Sequence, residues 1–97
     1  MSGEEMTAAQ ARVLLEALRD WYGAQGDVSG VAFVGRALAR LPLSQPREAR
    51  AARNTLEGAG LLMRGGFLPI WGRLLAFRVG RAVHNGADLP DLPGARA

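Results

Sequence analysis

Apolar residues recur every three or four positions near the start of the chain. Ala11, Leu14, Leu15, Leu18 and Trp21 or Tyr22 make one stripe of an amphipathic helix. Thr7-Ala-Ala-Gln10 ahead of them is a capping-box pattern, and Gly23 is a natural stop, so the first helix is expected over 7–23. Gly26 to Gly30 reads as a turn with Ser29 as a cap. Phe33, Val34, Ala37, Leu38 and Leu41 then predict a second helix over 31–41, closed by Pro42. A third is expected from Pro46, a residue suited to a first turn, to Glu57, with Gly58 and Gly60 ending it.

Beyond Gly60 the pattern reads with a period of two. Leu61 to Arg64 is expected to be a short strand, followed by Gly65-Gly66 and the segment 67–72. Arg73 to Val79 is expected as a second strand, with Leu75, Phe77 and Val79 on one side and Leu74, Ala76 and Arg78 on the other. Past Arg81 periodicity fades, which predicts a domain over 1–81 and a flexible tail over 82–97.

Three helices followed by a hairpin is the element order of a winged helix-turn-helix. The stretch Val34-Gly-Arg-Ala-Leu-Ala-Arg-Leu, a tight break, and Ala52-Arg-Asn-Thr-Leu-Glu-Gly-Ala-Gly-Leu-Leu resembles that superfamily. The resemblance implies a mostly α fold with a small β-hairpin, duplex DNA as the partner and a role in transcription regulation. Leu15-x-x-Leu18-x-x-Trp21, Phe33-Val-Gly-Arg-Ala-Leu38 and Trp71-Gly72 resemble, more loosely, the winged-helix modules appended to plasmid and phage primases and helicases. That implies replication or mobile-element accessory work instead.

Charge sharpens the picture because it is segregated. All twelve basic residues are arginine. Residues 1–35 carry two of them against five acids, whereas 36–81 carry nine against two, so a polyanion would sit on the middle of the chain. On a helical wheel Arg47, Arg50, Ala51 and Asn54 lie opposite Ala49, Ala52 and Leu56. Arginine can donate two hydrogen bonds to guanine and asparagine can pair with adenine, so Arg47, Arg50 and Asn54 are the candidate base contacts in a major groove. Arg53 flanks them as a phosphate contact. Arg36 and Arg40, one turn apart, are candidates for clamping the backbone, and Arg64 and Arg73 for wing contacts to phosphate. The plainer reading of the same residues is solubilising charge.

The expected wing departs from its family. Phe67, Leu68, Ile70 and Trp71 are apolar where a DNA-contacting wing is usually polar; they would fold onto the core, form a patch for a protein partner or second copy, or stack on unpaired bases. A third function follows, a protein-interaction domain using this patch. Trp21 and Tyr22 are further candidates for a two-fold contact.

Catalysis finds no footing. There is no cysteine, the single histidine, His84, is expected at the surface, and the acid pairs Glu4/Glu5 and Asp88/Asp91 lie near the chain ends. No metal or cofactor is expected. With no apolar run of membrane length and no signal-peptide pattern behind Met1, the protein is expected to be cytoplasmic and away from membranes.

Overall fold

The computed structural model describes residues 5–93; Glu4 and the last four residues of the expected tail lie outside them. The first helix, α1 (Ala8–Ala24), begins where the capping box places it. The Thr7 Oγ1 accepts from the Gln10 N–H at 3.1 Å, and the Gln10 side chain accepts from the Thr7 N–H at 2.9 Å. Its buried stripe includes Leu14, Leu15 and Leu18.

The second helix, α2 (Val28–Leu38), starts one turn earlier than the sequence pattern implies, because the cap is Asp27 rather than Ser29. The Asp27 Oδ1 accepts from the Gly30 N–H at 2.8 Å. Proline at the first turn opens α3 (Pro46–Gly58), and Gly60, at φ +75°, turns the chain away after it. The last helix, α4 (Ile70–Asn85), follows Pro69 and ends at the left-handed Gly86.

The expected β-hairpin and the winged helix-turn-helix built on it are overturned: among the described residues the fold is four helices with no strand element. Leu61 and Leu62 are a buried corner rather than a strand. Met63 and Phe67 form an isolated antiparallel bridge around Gly65 and Gly66, closed by the Met63 N–H donating to the Phe67 carbonyl at 2.8 Å. The expected second strand, 73–79, lies wholly inside α4.

The physical reason is glycine. Gly72 and Gly80 belong to the buried stripe of α4 with Leu75, Ala76, Val79 and Val83. Counted as core positions, they restore a helical period that is invisible when glycine is read as punctuation. Both mark close approaches. A Cβ on Gly72 would run into the Leu61 carbonyl oxygen, and one on Gly80 would come within 2.8 Å of the Phe33 ring.

The helix-turn-helix unit fails separately. In that motif the second and third helices pack together, but here α2 and α3 do not. Both rest on α1, which also packs against α4, so α1 is the hub; α2 touches α4, while α3 rests on α1 alone through Ala52 and Leu56. The division placed at residue 81 falls inside α4. The segment after it returns to the core, where Leu92 is buried and Asp91 bridges to Glu5.

Candidate functional site

Three arginines are engaged by backbone carbonyls at helix ends or in the loop ahead of α4. Arg12, half-buried on α1, donates from Nη1 to the Leu38 and Leu41 carbonyls at 3.1 and 3.4 Å, closing the end of α2. Its Nη2 lies 3.4 Å from the Glu16 carboxylate, the one ion pair among the described residues. Arg40, expected to clamp phosphate, donates to the Val83 and His84 carbonyls at 3.4 and 3.1 Å and so caps the C-terminal end of α4. Arg73, expected on a wing, donates to the Leu68 carbonyl at 3.1 Å with its guanidinium 5.0 Å above the centre of the Trp21 ring. His84 is half-buried rather than superficial. It stacks on Phe33 and its Nε2 lies 3.0 Å from the Phe33 carbonyl.

The remaining arginine candidates are open to solvent. Arg47, Arg50 and Asn54 are exposed on α3, opposite the Ala52–Leu56 edge that meets α1, and Arg53 is exposed on the flank of that face. Arg36 on α2 and Arg64 in the 63–67 loop are exposed as well. None of these five arginines has an ion-pair partner among the described residues. The structure thus brings the base-contact candidates onto one helical face, but Arg36 and Arg64 stand on other elements.

The apolar candidates divide. Leu68 is buried, 6% exposed, so it belongs to the core. Phe67, Ile70 and Trp71 stay exposed, Trp71 at 69%. Sequence reasoning missed what continues from them: Leu74 and Phe77, at 49% and 41% exposed, extend the same outward face of α4. Ile70, Trp71, Leu74 and Phe77 recur at helical spacing opposite Gly72, Leu75, Ala76 and Val79, which was the available signal. One and two turns after Leu74, the same face turns cationic with exposed Arg78 and Arg81.

Beside this face lies a groove of about 540 Å³. Leu61 and Leu75 form its buried parts, Trp71, Leu74 and Phe77 its exposed wall, and among the described residues Arg78 is its one charged lining residue. No acid occurs from Gly58 to Ala87, a stretch holding Arg64, Arg73, Arg78 and Arg81.

A second hollow, about 460 Å³, opens between the start of α1 and α3, with Thr7, Gln10, Leu43, Glu48 and Thr55 on its sides. Among the described residues the second hollow is lined by one carboxylate, Glu48, and the groove beside α4 by none. Among the described residues no three carboxylate, histidine or cysteine side chains cluster to hold a metal ion. No described helix is long and apolar enough to cross a membrane. No family model, characterised protein or solved structure matches this chain.

Proposed function

We propose that this chain is a protein-docking domain whose working surface is the outward face of α4. The observation that carries the reading is the exposure of Ile70, Trp71, Leu74 and Phe77 in succession on a helix whose inner face is already packed into the core. Together they leave on the order of 400 Å² of apolar surface open, within the range of the largest patch on an ordinary soluble monomer, which is often functional. The arginines around them supply orientation more than affinity.

The test is site-specific photo-crosslinking, with a photoreactive residue at Leu74 and, for comparison, at Arg50. Adducts to one protein, identified by mass spectrometry and reproduced with that protein purified, are expected from position 74 alone. Adducts from position 50 and none from 74 would move the working surface to α3.

One observation favours a second reading, duplex DNA binding through α3. Arg47, Arg50, Arg53 and Asn54 share a face that no other helix covers. In this reading fluorescence anisotropy on labelled duplex DNA gives affinity that falls steeply from about 50 to 200 mM salt. Arg50→Ala then weakens binding to a preferred site by about 1–3 kcal/mol. Absence of binding at the lowest salt removes this reading and leaves the docking face untouched.

A further inference from the structure

The α4 face has polarity along its length as well as an apolar character. Its first two turns present Ile70, Trp71, Leu74 and Phe77, and the next present Arg78 and Arg81. An occupant must therefore offer apolar side chains at one end and anions at the other. Resting on the docking reading above, we propose that the groove beside α4 receives an amphipathic helix of a partner protein, with carboxylates at the end of its apolar stripe that meets Arg78 and Arg81.

Charge complementarity selects this occupant. Among the described residues Arg78 is the only charged one lining the groove, and neither it nor Arg81 has an ion-pair partner there. A second copy packed through its own α4 brings more arginine and no acid, because α4 contains none. A nucleic-acid strand would satisfy the arginines with phosphate but would leave Ile70 and Leu74 against polar backbone. A helix with an i, i+3, i+4, i+7 apolar stripe suits a groove whose wall, Trp71, Leu74 and Phe77, itself repeats at helical spacing.

The experiment uses the full chain and two fluorescein-labelled synthetic helices of about five turns. Both carry leucine and phenylalanine at that spacing; one ends in glutamates, the other in lysines at the same positions. The acidic helix is expected to bind with the lysine version weaker by about tenfold or more at low salt. Arg78→Glu combined with Arg81→Glu should reverse the preference. Leu74→Asp should abolish binding of both helices while the thermal melt by circular dichroism stays in place.

Equal binding of the two helices, unaltered by the double charge reversal, would overturn the acidic-helix proposal and leave the docking reading standing. Failure of both helices to bind would overturn the amphipathic-helix proposal, and the docking reading would then stand or fall on the adducts at position 74. A wild-type dimer in sedimentation that Leu74→Asp converts to a monomer would overturn the proposal in favour of a second copy. Stronger binding of a thymidine oligonucleotide at the same face, lost on Trp71→Ala, would overturn it in favour of single-stranded nucleic acid.

Discussion

Tyr22 shows how much one contact in a small core can decide. Its ring lies against Gly30 at the crossing of α1 and α2, where any Cβ on residue 30 would run into it. Burial, and secondly the nearby Asp27 carboxylate, push the Tyr22 phenol above its ordinary value of 10.0. The folded state thus favours the neutral phenol. The stability this contributes is complete below pH 10.0 and is lost as pH rises through the folded value. Urea unfolding followed across the alkaline range should show stability falling above pH 10.0, with a shallower fall in Tyr22→Phe. Asp27→Asn should bring the phenolate midpoint down but not fully back, since burial is the larger cause and remains. An alkaline fall identical in Tyr22→Phe would assign it to other groups.

Helix α4 is held by what it lacks. Gly72→Ala should destabilise the protein by about 2–3 kcal/mol, because the added methyl displaces the Leu61 carbonyl and overpacking outweighs the gain in helix propensity. Gly35→Ala on α2, where nothing lies within 4 Å of the new Cβ, should instead stabilise it by about 0.5–1 kcal/mol. Thermal melts of the two variants test the sign directly; a Gly72→Ala protein as stable as the parent would mean that α4 does not approach Leu61 so closely. The same glycines explain what was legible in the sequence. The first and third helices could be read because their starts are encoded locally, by Thr7 and Gln10 and by Pro46. The fourth could not, because Leu74 to Phe77 is apolar on both parities and the residues that reveal its period are Gly72 and Gly80, whose role depends on Leu61 and Phe33 elsewhere in the chain.

Across the whole molecule, closure depends on both ends of the described chain. Met6 and Leu92 are buried in one core, and Glu5 and Asp91 pair as an antiparallel bridge. Leu92→Ala should therefore cost about 2 kcal/mol or more in urea titrations, whereas truncating a mobile tail residue would cost nothing. A change below about 0.5 kcal/mol would contradict the packed segment. The candidate sites were legible to different depths for related reasons. Which arginines share α3 follows from spacing alone. That Arg40 and Arg73 are already engaged by carbonyls does not, because their partners lie on α4 and in the loop before it. The apolar patch was visible as composition at Phe67–Trp71, but its extension to Leu74 and Phe77 depended on α4 being a helix.

The hub position of α1 has a consequence for synthesis. Of the four described helices, the one that the others lean on is made before them, and α4, which packs against it, is made after the other three. Until α4 has been added, Leu15, whose side chain lies beside Gly80, lacks part of the covering that hides it in the finished fold. A ribosome stalled within α4 therefore holds a chain whose first helix is incompletely covered, and chaperones and proteases are expected to engage it where they would pass over the finished fold.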